Sequence, residues 1–395
     1  MDSSSILSSK RILSIDILRG LVMIIMALDH TRDFFHLEAM TGDPLDPTTT
    51  TGMLFFTRWI THFCAPTFVF LSGLSAYLSA QTKTPSEVSM FLLKRGAWLI
   101  FVEIVIVSLG LTFNPFYNFI ILQVIWAIGW SMILLALVIK ISKKAVFIIG
   151  LIIVSCHNVF NLFPPPDSEG FNFMLKVLFT SFGTVLPLPN NHLIGFFYAI
   201  LPWTGIMFIG YAIGSWYSKS YAAEKRKRNL IIAGLCSIFL FFILRFINLY
   251  GDPVPRKEYN DLFKNILSFF NVSKYPPSLL YTSMTVGLAM LFLAFTERIN
   301  NWFSRIVSIY GAVPFFYYII HFYLLHSILV IAFFASGFTT EQIVQIPFWF
   351  RPNNFGFNLP IVYLIWILVV TVLYLPCKWF KNYKETHSQW WLKYV

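Results

Sequence analysis

Residues 12–36 read ILSIDILRGLVMIIMALDHTRDFFH. Most of these side chains are apolar, and a helix of this length crosses the roughly 30 Å hydrocarbon core of a bilayer. Asp16 and Arg19 nevertheless lie near one end, and a group of ionisable residues lies near the other. Charge inside a bilayer is costly, so such residues need a reason. The stretch predicts a membrane-spanning helix with polar side chains at both ends.

Apolar stretches of similar length recur along the chain. Hydrophobic residues make up 57% of the 395 positions, charged residues 12%, and the mean hydropathy is +0.69. A soluble protein carries roughly 25% charged residues, so most of this surface is expected to face lipid. Backbone groups in lipid must be satisfied internally, which favours helices. The composition predicts an all-α integral membrane protein with about ten transmembrane helices.

We expect a single polytopic membrane domain over residues 1–395, without a soluble domain. The predicted spans are residues 12–36, 53–80, 88–112, 117–139, 145–163, 192–216, 229–249, 278–296, 311–336 and 358–377.

The net charge of +11 is compatible with nucleic-acid binding, but the basic residues are distributed in another way. If the N-terminus is cytoplasmic, 20 of the 29 Lys and Arg residues, Lys10 and Arg11 among them, fall on the cytoplasmic side. This bias is the positive-inside rule of membrane proteins. It predicts cytoplasmic termini and a lipid bilayer, not nucleic acid, as the partner. The expected outer loops are residues 37–52, 164–191, 250–277 and 337–357.

The cysteines do not indicate a disulfide framework or a zinc site. All four lie within or at the ends of predicted spans, and no CxxC spacing occurs. The chain also lacks a glycine-rich phosphate loop, an HExxH motif and a GxSxG motif. No metal is therefore expected.

The outer end of the first predicted span carries the strongest signal. Asp29, Arg32, Asp33 and His36 are spaced i, i+3, i+4 and i+7, which places them on one helical face. One interpretation is a salt-bridged helix end that anchors the span. The other is a His–Asp pair for general acid–base chemistry, in which a carboxylate fixes the tautomer of His30 or His36.

Other polar residues inside predicted spans have both structural and functional interpretations. His62 lies near the outer end of the second span, where Pro66 is expected to kink the helix. Glu103 lies in the middle of the third span and needs a partner, neutrality or water. His321 is the deeper of two histidines in the ninth span.

Polar residues also mark the inner end of the first span, at Asp16 and Arg19. Arg19 and His30 lie about 16 Å apart along a helix axis. A protein that links the two membrane faces could use such a helix. Two classes therefore remain open, a membrane-embedded enzyme and a transporter or ion-coupled carrier, whereas a structural scaffold needs no such residues.

Several motifs resemble those of one family, the heparan-α-glucosaminide N-acetyltransferase-like family, in its bacterial branch of uncharacterised multi-span transmembrane acyltransferases. The resemblance runs along almost the whole chain. It is carried by Arg11–Leu21, Met26–His30, His62–Gly73, Leu201–Gly205, Lys274–Leu280 and Pro314–His321.

The resemblance implies transfer of an acetyl group from cytoplasmic acetyl-CoA through the membrane to an amino sugar or glycan on the far side. It places the family's catalytic histidine near the outer end of the first span, where His36 matches it, with a polar residue matching His30. The spacing is shorter than in the lysosomal enzyme of the family, so the choice between the two histidines stays open. Heparan itself is not expected as the acceptor.

Acyl transfer from a thioester needs a base and an oxyanion donor. His30 or His36, with Asp29 or Asp33, could supply the base and its orienting group. Arg32, His62 or a hydroxyl group could stabilise the oxyanion. At the inner face, Arg19, Lys94 and Arg95 could bind the phosphates of coenzyme A or simply anchor helix ends. A bacterial inner membrane is the expected location, and a homodimer is left open.

Overall fold

The computed structural model describes residues 12–163, 168–180 and 183–394. It is mostly helical. The expectations on Lys10, Arg11 and both chain termini lie outside the described residues.

The elements follow one another in chain order, with short irregular connections. They are α1 (Leu13–Phe35), α2 (Gly52–Thr61), α3 (Cys64–Ala80), α4 (Pro85–Val102), α5 (Ser108–Thr112), β1 (Phe119–Leu122), α6 (Val124–Val138), α7 (Lys143–Cys156), α8 (Glu169–Leu175), β2 (Thr184–Leu188), β3 (His192–Phe196), α9 (Ile200–Gly214), α10 (Ala223–Ile247), α11 (Leu262–Phe270), α12 (Leu279–Thr296), α13 (Trp302–Ala312), α14 (Pro314–Ala335) and α15 (Leu359–Thr386).

Among the described residues, six helical segments are long and apolar enough to cross a membrane. The chain is therefore an integral membrane protein. The ten-span arrangement stays a prediction. These segments are Gly52–Ala80, Lys143–Leu162, Ala223–Ile247, Leu279–Thr296, Pro314–Ala335 and Leu359–Thr386.

A small sheet corrects the all-α prediction. The predicted spans 117–139 and 192–216 begin with β1 and β3, which pair in parallel, and β2 pairs with β3 in antiparallel fashion. The strand order is β1-β3-β2. A short apolar run at the start of a longer one cannot be assigned to strand or helix by periodicity alone. The sequence therefore predicts helix for the residues of β1 and β3.

Two further boundaries differ from the prediction. Helix α13 runs to Ala312, so the ninth predicted span begins at Pro314 and not at residue 311. Proline at the first helical position costs no backbone hydrogen bond, which makes Pro314 a natural start. Helix α15 continues to Thr386, beyond the predicted end at residue 377.

Pro66 interrupts the second predicted span, as expected. The helix breaks at residues 62–63, between α2 and α3. Proline has no N–H, so the carbonyl four residues earlier loses its helical partner. That carbonyl belongs to His62, and it accepts a hydrogen bond from the hydroxyl of Tyr281 at 2.7 Å. A side chain from α12 thus stabilises the break.

The third predicted span contains a π-helical turn at Glu103–Val107, between α4 and α5. Such turns disturb the regular hydrogen-bond ladder and often occur at functional sites. Hydroxyl groups satisfy the carbonyls of this turn: Tyr117 donates to Val105 at 2.9 Å, and Tyr323 donates to Ile106 at 2.8 Å. The turn places the fully buried Glu103 towards the protein interior.

Glycine residues allow pairs of helices to approach closely. A Cβ atom on Gly73 of α3 would collide with the carbonyl oxygen of Met207, and one on Gly210 of α9 would collide with that of Phe70. Small residues serve this purpose in membrane helix packing, where apolar surface alone does not drive association. Reciprocal contacts of this kind join α1 to α13, α3 to α9, α4 to α6, α7 to α9 and α10 to α12.

Candidate active site

A buried ion cluster lies at the C-terminal end of α1, which is the predicted outer end. The carboxylate of Asp29 forms ion pairs with Arg32 of the same helix at 3.2 Å, with Arg58 of α2 at 2.5 Å and with Lys274 at 3.9 Å. Arg32 also contacts Asp33 at 2.5 Å. The side chain of Asp29 is 9% exposed and that of Asp33 is 38% exposed. The Asp29–Arg32 pair agrees with the anchoring interpretation. Arg58 and Lys274 come from two other segments, so Asp29 also links α1 to both of them.

His30 contacts a second imidazole and not a carboxylate. Its Nδ1 atom lies 2.6 Å from Nε2 of His321 on α14. The Nδ1 atom of His321 lies 2.5 Å from the carbonyl oxygen of Tyr318 and 3.2 Å from that of Tyr317. His321 is fully buried, whereas His30 is half-buried. The first and ninth predicted spans thus meet through a histidine pair.

Aromatic rings hold His30 in place. Phe322 stacks on its imidazole with ring centroids 4.5 Å apart and planes inclined by 22°. Tyr318 meets the same imidazole edge to face, at 6.4 Å. The ring orientation of His30 is therefore set by packing as well as by hydrogen bonding.

His36 directly follows the last residue of α1 and is 9% exposed. Its Nδ1 atom accepts a hydrogen bond from the backbone N–H of Glu38 at 3.3 Å, and its carbonyl accepts one from the buried Arg351 at 2.5 Å. Within the described part of the chain, no carboxylate lies within ion-pair distance of His30 or His36. The expected His–Asp pair is therefore not formed there, because Asp29 and Asp33 are occupied by arginine and lysine.

A cavity of about 440 Å³ opens beside His36 and Arg32, and we call it the outer cavity after its predicted side of the membrane. Three acidic residues, Glu38, Asp43 and Asp46, also line it. The backbone N–H and the hydroxyl of Thr48 both donate to Asp46, which lowers the pKa of its carboxyl group below the usual value. The mouth of the cavity thus carries negative charge.

An inner cavity of about 90 Å³ lies among α1, α3, α4, α6 and α14. Arg19 and Arg95 line it, and Tyr318, the neighbour of His30, lines it as well. Arg19 donates to Asp16 at 3.3 Å and to Ser75 at 2.8 Å. The lining of the inner cavity also includes the apolar residues Met23, Phe68, Leu99 and Met132.

The three predicted inner bases have different surroundings. Arg19 and Arg95 reach the inner cavity, whereas Lys94 is exposed and is not among the lining residues. Among the described residues, Arg95 pairs with no carboxylate, and its buried Nε has no hydrogen-bond partner. Arg95 is thus a cation available to an anionic ligand.

His62 and Glu103 are buried with incomplete hydrogen bonding. Neither ring nitrogen of His62 has a partner in the described structure, although the imidazole packs against Tyr281 at 5.4 Å between centroids. One carboxyl oxygen of Glu103 accepts the N–H of Gln123 at 2.5 Å, and its other oxygen has no partner there. The structure does not bring either residue into contact with the histidine pair.

Some residues of the site were not among the sequence candidates. Arg58 is a base inside a predicted span, a signal that alone marks a residue for attention. Lys274 was noted only as part of a motif, because it lies in a predicted loop. Tyr318 belongs to the motif Pro314–His321 but was not a site candidate, and Phe322 had no signal in the sequence, since aromatic residues are common throughout α14.

Comparison with known proteins identifies the family of the chain. A sequence model described as heparan-alpha-glucosaminide N-acetyltransferase, catalytic, matches residues 11–244. The match includes α1, α2 and α3 and ends within α10, so Lys274 and His321 lie beyond it. No curated protein matched the chain. Because the matched region covers more than half of the 395 residues, the chain belongs to the heparan-α-glucosaminide N-acetyltransferase family, which implies a transmembrane acetyltransferase.

Proposed function

We propose that the chain transfers an acetyl group from cytoplasmic acetyl-CoA to an amino sugar or glycan on the opposite side of the membrane. The observation that carries this proposal is the arrangement along α1. An arginine-lined cavity lies towards one end, an acidic cavity lies at the other, and the His30–His321 pair lies between them. Membership of the family supports the acetyl-transfer chemistry.

The inner cavity is the proposed donor site. Coenzyme A carries phosphates, and Arg95 is a cation without a carboxylate partner in the described structure. Pockets that enclose a whole ligand usually measure roughly 300–1,000 Å³, so a cavity of about 90 Å³ fits only the thioester end of the donor. We infer that the nucleotide end stays at the cytoplasmic surface, while the acetyl group approaches Tyr318 and His30.

The outer cavity is the proposed acceptor site. Its acidic lining favours a substrate that arrives with a protonated amine, since opposite charges attract across such a cleft. Arg32 joins this cavity to the ion cluster around Asp29. The acceptor would then enter from outside and pass His36 to reach the histidine pair, since His30 lies more than one helical turn deeper than His36.

Of the two candidate histidines, His30 is the one that we propose as the base. Its imidazole meets Tyr318, which lines the inner cavity, at 6.4 Å between ring centroids, whereas His36 lines the outer cavity and its Nδ1 accepts the backbone N–H of Glu38. His36 is better placed to bind the acceptor. The remaining site residues, Asp29, Asp33 and Arg58, would hold the outer ends of α1 and α2 together.

The chain also has a proposed orientation and location. We place it in the inner membrane of a bacterium, as one membrane domain with cytoplasmic termini. The concentration of basic residues on one side of the predicted spans supports this orientation.

Ligand-dependent thermal stability tests the donor site. Acetyl-CoA should raise the unfolding temperature of the purified protein, because a ligand that binds only the folded state stabilises it, by about 2.7 kcal/mol at 100 times Kd. The Arg95→Gln variant should lose most of this shift. The neighbouring Lys94→Gln variant is the matched control and should keep it, because Lys94 lies outside the cavity lining. No shift with millimolar acetyl-CoA on a folded sample would instead favour a transporter.

A further inference from the structure

We propose that His321 is a positioning residue that fixes the tautomer of His30 and leaves Nε2 of His30 as the basic atom. This inference rests on the proposed acetyl transfer. It assigns a role to a residue of α14, which lies outside the matched family region. The supporting observations are one imidazole–imidazole contact, two carbonyl contacts and one stacked ring.

The proton positions follow from the carbonyl groups. A carbonyl oxygen can only accept a hydrogen bond, so Nδ1 of His321 must carry a hydrogen to meet the carbonyls of Tyr317 and Tyr318. In a neutral imidazole the other nitrogen, Nε2, then has a lone pair and is an acceptor. Because that atom lies 2.6 Å from Nδ1 of His30, His30 must donate from Nδ1. The remaining nitrogen of His30, Nε2, therefore has its lone pair available.

Packing against Phe322 fixes the plane of the His30 imidazole ring. Phe322 follows His321 in α14 and stacks on His30 at 4.5 Å, so one helical segment supplies both the acceptor and the stacking surface. Both residues are fully buried. A base works only when its lone pair points at the proton to be removed, and this segment restricts that direction.

A neutral partner suits the surrounding charges. In Ser-His-Asp sites a carboxylate orients the histidine. Here the adjacent carboxylate, Asp29, is held by Arg32, Arg58 and Lys274. A further buried carboxylate would have a large desolvation cost, whereas a neutral imidazole accepts the same hydrogen bond without adding charge.

The reaction can be balanced with this arrangement. The acceptor ammonium first loses one proton to solvent, and the neutral amine then forms a C–N bond to the thioester carbonyl carbon while Nε2 of His30 takes a second proton from the nitrogen. The tetrahedral intermediate then collapses, the C–S bond breaks, and His30 returns that proton to the leaving thiolate. The products are an amide and free coenzyme A, and no oxidant or reductant is required. His321 keeps its Nδ1 hydrogen throughout and holds His30 in position.

Two substitutions at one position separate orientation from simple packing. In His321→Gln, the amide oxygen can occupy the place of the imidazole Nε2 and accept from His30. In His321→Asn, the amide reaches only the place of Nδ1, so the carbonyl contact is kept and the contact to His30 is lost. We expect His321→Asn to lower kcat for acetyl transfer to glucosamine by roughly 10²–10⁴-fold with KM for acetyl-CoA unchanged, and His321→Gln to recover most of it.

Nitrogen-15 NMR of histidine-labelled protein provides a readout that does not depend on activity. We expect His30 to be protonated at Nδ1 in the native protein and in His321→Gln, and to change to Nε2 protonation in His321→Asn. Nε2 protonation in the native protein, or full kcat in a folded His321→Asn variant, would overturn the role of His321. The expected tautomer without any acetyl transfer would instead contradict the proposed function.

Discussion

At the scale of single residues, the charged groups of α1 divide into two sets by their partners. Asp29 is surrounded by three cations, and its side chain is 9% exposed. Asp33 contacts only Arg32 among the described residues and is 38% exposed. Although the two carboxylates lie on the same helix and were equivalent candidates in the sequence, their burial indicates different roles.

Replacing each carboxylate by its amide tests this difference. We expect Asp29→Asn to lower the free energy of unfolding by about 3–5 kcal/mol, because it leaves buried cations without their counter-ion. Asp33→Asn should change it by less than about 1 kcal/mol, since Arg32 keeps its ion pair with Asp29 and ion pairs of partly exposed carboxylates contribute little. Denaturation of the purified variants in detergent measures both. Equal effects of the two substitutions would show that the cluster does not hold the outer end of α1.

At the scale of secondary-structure elements, a proline and several glycine residues shape the helices around the site. The missing N–H of Pro66 breaks the second predicted span, and Tyr281 of α12 accommodates the freed carbonyl of His62. Glycine residues then bring helix backbones into direct contact, as Gly73 of α3 does against α9. The site therefore depends on helices far from His30 that fix the position of α3.

A glycine substitution tests the close approach of α3 and α9. Alanine normally stabilises a helix by roughly 0.5–1 kcal/mol relative to glycine. Gly73→Ala should nevertheless lower the unfolding temperature, because its Cβ would collide with the backbone of Met207 and overpacking costs about 1–3 kcal/mol. Gly170→Ala in α8 is the control, since nothing lies within 4 Å of its added Cβ. A Gly73→Ala variant as stable as this control would refute the packing argument.

At the scale of the whole molecule, orientation in the bilayer is the property that the function needs. The proposed function takes its donor from the cytoplasm and its acceptor from outside, which requires the two cavities to open on different sides. The outer cavity is lined mostly by the segment between α1 and α2, and Arg19 and Arg95 line the inner one.

Cysteine labelling in intact cells tests this orientation. In a background without Cys64, Cys156, Cys236 and Cys377, we expect cysteines at Thr49 and Glu258 to react with an impermeant reagent from outside. A cysteine at Lys143 should react only after the membrane is opened. All three side chains are exposed, so their reactivity reports the side of the membrane and not burial. Labelling of Lys143 from outside, or protection of either other position, would exclude the ten-span arrangement.

Hydropathy along the chain was enough to predict the membrane class and the extent of the first helix. Residues 12–36 are predicted as a helical span, and α1 covers Leu13–Phe35, so the helix is confirmed and its crossing of the membrane stays a prediction. The break before Pro66 was also predictable. These features depend on local quantities, namely the hydropathy of consecutive side chains and the missing N–H of proline.

Contacts between polar groups of distant segments could not be predicted from the sequence and are seen only in the tertiary structure. His30 and His321 are 291 positions apart, and nothing in either local segment indicates their contact. The same holds for Lys274 at Asp29 and for the pairing of β1 with β3. A helical face shows which residues of one helix can act together, but only packing shows which other segment faces them. Asp29 and His30 are neighbours in the chain, yet one became the centre of an ion cluster and the other half of a histidine pair. Consecutive side chains on a helix point about 100° apart and therefore contact different partners.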